Sequence, residues 1–111
     1  MQSTRQQKIE SLIQQDLGNI FLQYARRIGG VLISVSEVRI SPDLSIAHVY
    51  LSIFPANKAE EILTKVEEDG KAIRYEMGKL ERNQLRIIPQ LYFHNDVTLD
   101  RMEHIDELLK H

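Results

Sequence analysis

Val31-Leu32-Ile33-Ser34-Val35-Ser36-Glu37-Val38-Arg39-Ile40-Ser41-Pro42-Asp43-Leu44-Ser45-Ile46-Ala47-His48-Val49-Tyr50-Leu51-Ser52-Ile53-Phe54 places a β-branched run, a turn and an alternating run in direct succession. Val31 to Ile40 suits a pleated, half-buried surface and reads as a strand. Ser41-Pro42-Asp43-Leu44 reads as a turn, because the proline ring presets the backbone and Asp43 can bond locally. From Ser45 to Phe54 the pattern alternates. Ala47, Val49, Leu51 and Ile53 point to one side, and His48, Tyr50 and Ser52 to the other. The two strands therefore pair as an antiparallel hairpin with one face toward a core, and Pro55 closes the second.

Helical periodicity flanks this hairpin. Upstream, Ile9, Leu12, Ile13, Leu17, Ile20, Phe21, Tyr24 and Ile28 recur every three or four residues, predicting a long amphipathic helix. Ser3 or Thr4 suits its N-cap, and Gly29-Gly30 its end, where glycine adopts the left-handed conformation without a Cβ clash. Gly18, inside it, costs about 1 kcal/mol relative to alanine; a close approach of helix to sheet would account for it. Downstream, the stripe returns in Ala59, Ile62, Leu63 and Val66, then in Ile73, Met77 and Leu80, with Asn57 as cap. Its phase slips at Asp69-Gly70, so the segment is either two consecutive helices bent at Gly70 or one kinked helix. Arg86 to His94 reads as a third strand, confined by Pro89 to an edge or a bulge. Asn95-Asp96 turns the chain, and Thr98 opens a short last helix with Met102, Ile105, Leu108 and Leu109 inward. This order predicts a two-layer α+β domain, with helices on one face of a three-stranded sheet. No repeat, linker or low-complexity tract divides residues 1–111, which read as a single domain.

Composition narrows the function. Apolar residues at 42% and charged residues at 27% are ordinary for a soluble globular chain. The lack of cysteine excludes disulfides, thiolate catalysis and Cys-ligated zinc. No apolar run approaches the roughly 18 residues of a membrane span, and Met1 to Gln7 is polar, without a signal-peptide core. The expectation is a cytoplasmic protein away from membranes. His48, His94, His104 and His111 form no H-x-x-x-H or H-x-H pair. His48 and His94 fall on different strands and can share a face, but they read as surface histidines beside water, without metal. The helical carboxylates sit in solvated patterns, the strand serines lack a nucleophile elbow, and there is no phosphate-binding glycine loop. The chain does not read as an enzyme, and no cofactor is expected.

Charge is more informative. Formal net charge is -2, yet Lys71, Arg74, Lys79, Arg82 and Arg86 gather against only Glu76 and Glu81 where a helix runs into a strand. A basic stripe on an otherwise acidic domain is what a selective grip on a phosphate backbone needs. Arginine forks bind phosphate bidentately, which favours Arg82 and Arg86 near the junction. Lys71, Arg74 and Lys79 are equally accounted for by the helix dipole and by pairing with Glu76. Arg5, Lys8, Arg26 and Arg27 are candidates to extend the patch. Tyr50, Tyr75 and Tyr92 are open to exposure, but no interleaved basic–aromatic array predicts stacking on bases, so backbone and shape contact is expected. The rival reading is an adaptor domain without direct RNA contact, using its acidic 60–69 and C-terminal patches. A small-molecule regulatory dimer lacks any distinctive pocket motif.

Five phrases in order resemble the ribosome-binding factor A family. They are Thr4-Arg5-Gln6-Gln7-Lys8-Ile9, then Val35-Ser36-Glu37-Val38-Arg39-Ile40-Ser41-Pro42-Asp43-Leu44 with Ala47-His48-Val49-Tyr50-Leu51-Ser52, then Ala72-Ile73-Arg74-Tyr75-Glu76-Met77-Gly78-Lys79. Leu85-Arg86-Ile87-Ile88-Pro89-Gln90-Leu91-Tyr92-Phe93 and Ile105-Asp106-Glu107-Leu108-Leu109 complete the set. The likeness runs from about Thr4 to Leu109. It implies a KH-like domain of the type II arrangement. It further implies a non-enzymatic factor that binds the free 30S small ribosomal subunit, contacts 16S rRNA and assists its late maturation, including 5′-end processing. A role in cold adaptation and a release GTPase as a further partner belong to the same implication, and a monomer is expected. The family's interhelical A-x-G kink corresponds here to Glu68-Asp69-Gly70. Gly70 can supply the bend, but the alanine is missing and acids surround the site. The segment Leu80-Glu81-Arg82-Asn83-Gln84 also looks slightly longer than in other members.

Overall fold

The computed structural model describes residues 4–81 and 88–96. Helix α1, Thr4–Ile28, turns Ile9, Ile13, Leu17, Phe21 and Tyr24 inward, as its periodicity predicts. Thr4 is its first residue, and Ser3 lies outside the described residues. Gly29 and Gly30 close the helix at φ 78° and 73°, and the Gly29 N–H donates to the Ala25 carbonyl at 2.9 Å. Gly18 departs from expectation. A Cβ there would meet nothing within 4 Å, so no close approach to the sheet explains it.

Strands β1 (Leu32–Ile40) and β2 (Ile46–Phe54) form the predicted antiparallel hairpin, from Leu32 opposite Phe54 to Ile40 opposite Ala47. The Asp43 carboxylate holds the turn, accepting from Ser41 Oγ at 2.7 Å and Ser45 Oγ at 2.8 Å. Those hydroxyls, Ser41 first, keep its carboxyl below the usual carboxylate range. A bulge falls between Val35 and Glu37. The Gln14 amide on α1 reaches the carbonyls of Val35 at 3.2 Å and Ser36 at 3.4 Å, so the helix supports the ladder where its register shifts.

A 3-10 turn, Ala56–Lys58, leads into α2, Ala59–Glu68. Asn57 lies inside that turn and caps nothing. Lys58 holds the cap position, without a side-chain bond. Helix α3, Gly70–Glu81, follows, so the segment is two helices and not one kinked helix. Strand β3, Gln90–Asn95, then pairs in parallel with β2, giving the order β1-β2-β3 with β3 at an edge. It begins later than the expected Arg86. Pro89 has no N–H to give, and the Gln90 N–H makes the first link, to the Ser45 carbonyl at 2.9 Å. The helix expected from Thr98 lies outside the described residues.

All three helices cover one face of the sheet. Phe21 stands edge-on to Tyr24 and Phe93, with ring centroids 5.9 and 5.8 Å apart, over Ala47, Val49 and Leu51. The opposite face carries no helix among the described residues, and there Leu32 and Phe54 are 65% and 66% exposed. No described helix is long and apolar enough to cross a membrane.

Candidate nucleic-acid interface

Helix α3 buries Ile73 and Met77 in the core. The helical repeat then turns Lys71, Arg74, Tyr75 and Gly78 to a common side. With Lys79 from the next position and Glu67 from the end of α2, these residues face Ile88, Gln90 and Leu91 across a groove of about 870 Å³ at the sheet edge. Three of the predicted basic residues, Lys71, Arg74 and Lys79, therefore share one surface.

They are not equivalent. Lys71 is exposed, and no carboxylate pairs with it among the described residues. Lys79 lies 3.4 Å from Glu76 Oε1, with both side chains about half exposed, a weak pair in water. Its Nζ also sits 5.1 Å from the centroid of the Tyr75 ring, which is 66% exposed. Arg74 is engaged within the fold. Its Nε donates to the Pro89 carbonyl at 2.9 Å and its Nη2 to the Ile88 carbonyl at 2.5 Å. The fork chosen as a phosphate ligand ties the helix to the start of β3. Arg82 and Arg86 lie outside the described residues.

The other candidates do not join this groove. Arg27 lies over the Tyr24 ring, 5.8 Å from guanidinium to centroid, on the α1 side of α3. Arg5 and Lys8 project from the opposite end of α1, about 30 Å along the axis from Arg26 and Arg27. That end is fixed by neighbours: the Gln6 amide donates to the Ile40 carbonyl at 3.2 Å, and Glu10 accepts the Ile40 N–H at 2.8 Å.

The interhelical break centres on Asp69, one residue before the expected Gly70. The Asp69 N–H donates to the Lys65 carbonyl, ending α2, and its carbonyl accepts the Ile73 N–H, starting α3, each at 3.0 Å. Its carboxylate accepts the Tyr24 hydroxyl at 2.7 Å. Burial, then this bond to a carboxylate, pushes the Tyr24 phenol well above its ordinary range. Gly70 has no positive φ, and a Cβ on it would touch Phe93 at an ordinary 3.9 Å. The bend rests on an aspartate locked to α1, which explains how an acid can stand at the kink.

The bare sheet face holds what the sequence did not reveal. His48 stacks on Tyr92 at 5.6 Å and Tyr50 on His94 at 4.9 Å, and His48 Nδ1 lies 2.9 Å from His94 Nε2. The predicted sharing of a face by the two histidines holds. Their ring centroids are 5.1 Å apart, so the two nitrogens point at one another. That is N–H···N geometry, and two lone pairs so directed do not converge on a cation. Among the described residues no three ligating side chains cluster.

Helices on one face of a three-stranded sheet, with a basic groove between α3 and a parallel edge strand, define a KH-like α+β domain. The crystal structure of ribosome-binding factor A from Thermus thermophilus shares it, with a TM-score of 0.65 at 23% identity over 81% of this chain and 94% of that one. A Thermus thermophilus ribosome binding factor A model fitted into the cryo-EM map of a 30S complex gives 0.65 at 22% identity, over 78% of this chain and 90% of that one. The family model for ribosome-binding factor A matches residues 5–109. Ribosome-binding factor A of Christiangramia forsetii is 41% identical over 111 residues, 98% of this chain and 85% of the relative. The chain belongs to the ribosome-binding factor A family.

Proposed function

We propose that this chain binds the free 30S small ribosomal subunit through 16S rRNA and assists late rRNA maturation, including processing of the 5′ end. It acts as one domain and as a monomer in the cytoplasm, without cofactor or catalytic step. Its use is greatest in the cold, and a GTPase drives its release. The observation that carries this reading is the groove between α3 and β3, where Lys71 and Lys79 present ammonium groups to solvent beside an exposed Tyr75. Phosphate contacts supply affinity and register, and an exposed ring accepts an unpaired base. The Thermus thermophilus relative placed in a 30S complex supports the choice of partner.

The test is co-sedimentation with free small subunits at low salt. Charge reversal at Lys71 and Lys79, and separately at Arg82 and Arg86, should each weaken binding about tenfold or more while the melting temperature stays near that of the parent chain. Unchanged co-sedimentation of both double variants removes the groove and the Arg82–Arg86 segment as the site. Ribonuclease treatment separates this reading from a protein adaptor, which would keep its partner after the RNA is digested.

A further inference from the structure

The four rings on the bare sheet face form a continuous row across two strands. In register His48 lies opposite Tyr92 and Tyr50 opposite His94, and the diagonal His48–His94 contact joins the two pairs. Tyr92 is 51% exposed, and His48 is exposed beside it. The surroundings are polar. Ser34 pairs with Ser52 on the row toward Leu32 and Phe54, and Arg39 pairs with His48 on the other strand edge. Both described carboxylates on this face are engaged: Glu37 holds Arg39, and Asp96 accepts the Ser36 hydroxyl. The Arg39 side chain is still 65% exposed, so a phosphate can reach it.

We propose that this face is a second RNA-contacting surface, which takes an unpaired base by stacking on Tyr92, the exposed edge-strand ring that ends the row, with Arg39 beside the backbone. An apolar protein helix would want aliphatic surroundings, and the rings lie between serines and an ion pair instead. A nucleobase offers an apolar face with polar edges, which matches rings set among hydroxyls and a guanidinium. The surface is also continuous with the groove. Gln90 lines the groove and Tyr92 follows two residues later on the edge strand, so one RNA strand crossing β3 can touch both. The inference concerns a different surface from the groove and does not depend on it.

The probe is hexaadenylate, an unstructured RNA whose bases stack strongly, titrated into the full chain with NMR observation of the ring protons. The expected result is ring-current shifts at Tyr92. Tyr92→Ala should then lower affinity roughly fivefold or more, and Tyr92→Phe, which keeps the ring and drops only the hydroxyl, should keep it. Equal affinities for Tyr92→Ala, Tyr92→Phe and the parent chain overturn the proposal, as do rings that stay unshifted at saturation. Ring shifts confined to Tyr75, in the groove, refute the second surface and leave the groove reading intact. Ring shifts caused by ribonuclease-treated small subunits but not by hexaadenylate mean a protein occupant, and also overturn it.

Discussion

Two forces oppose a proton on His94. Partial burial is the larger, and the neighbouring His48 is the second; Glu67, reaching from α2, works weakly the other way. Together they hold its pKa below the ordinary histidine value of about 6.5. In the N–H···N contact with His48 one nitrogen must accept, so the contact needs at least one of the two facing nitrogens to be unprotonated. The sign of the pH effect follows. Between the lowered folded value and the ordinary one, the unfolded chain binds the extra proton, so stability declines as pH falls through that window and is unaffected above it. Glu37 and Arg39 on β1, Tyr50 on β2, Tyr92 and Asp96 on β3 and its turn, and Glu67 are the other titratable or charged groups around the pair. In a His48→Gln variant one of the two opposing forces disappears, and an NMR titration should show the His94 pKa rising part of the way toward the ordinary value. A value that does not move, or one that falls, would mean the two imidazoles are not coupled.

Arg74 changes meaning at the scale of elements. As a letter in a basic stripe it looks like a phosphate ligand; in the fold it bonds two successive carbonyls where β3 begins. Pro89 and the late start of the strand leave those carbonyls outside the ladder, and a rigid guanidinium fork can satisfy both. Arg74→Gln should therefore lower unfolding stability by about 1.5–3 kcal/mol, read by denaturant unfolding. If stability is unchanged while small-subunit binding is lost, the fork is free for RNA and the latch is wrong. This residue also marks how far the sequence could be read. Periodicity located α1, the hairpin, α2 and α3, because each buries a stripe whose spacing is intrinsic to the element. Contacts made across about 15 to 45 positions leave no such trace. The Tyr24–Asp69 bond exists only once α1 packs against the interhelical break, and the ring row only once β3 lies beside β2; the Arg74 latch likewise needs α3 packed against the start of β3. The Tyr75–Lys79 contact is local, four residues apart on one helix face, and the sequence reading did not name it.

Across the whole molecule, charge decides orientation more than it decides affinity. Exposed Glu60, Glu61, Glu67 and Glu68 line α2, while Lys71 and Lys79 line the groove side of the next helix. On the proposed reading a polyanion would be repelled from the outer side of α2 and drawn along α3, with Glu67 as the one acid at the groove's rim among the described residues, so the same net charge of -2 would give a directed encounter. The sequence showed the imbalance between neighbouring segments but not that Arg5 and Lys8 stand far from Arg26 and Arg27, because distance along a helix becomes distance in space only when the helix is known to be unbroken. With Arg74 bonded to the backbone, the proposed phosphate contacts are Lys71 and Lys79, with Arg82 and Arg86 from the sequence reading. About three to four neutralised phosphates correspond to a slope of roughly -2 to -4 in log binding constant against log salt. Lys71→Gln should make that slope shallower by about 0.7 to 0.9, the share of one phosphate. Arg27→Gln, on the far side of α3, should leave it unchanged. A flat salt profile for the parent chain, or equal effects of the two substitutions, would show that the groove on α3 is not where the polyanion is held.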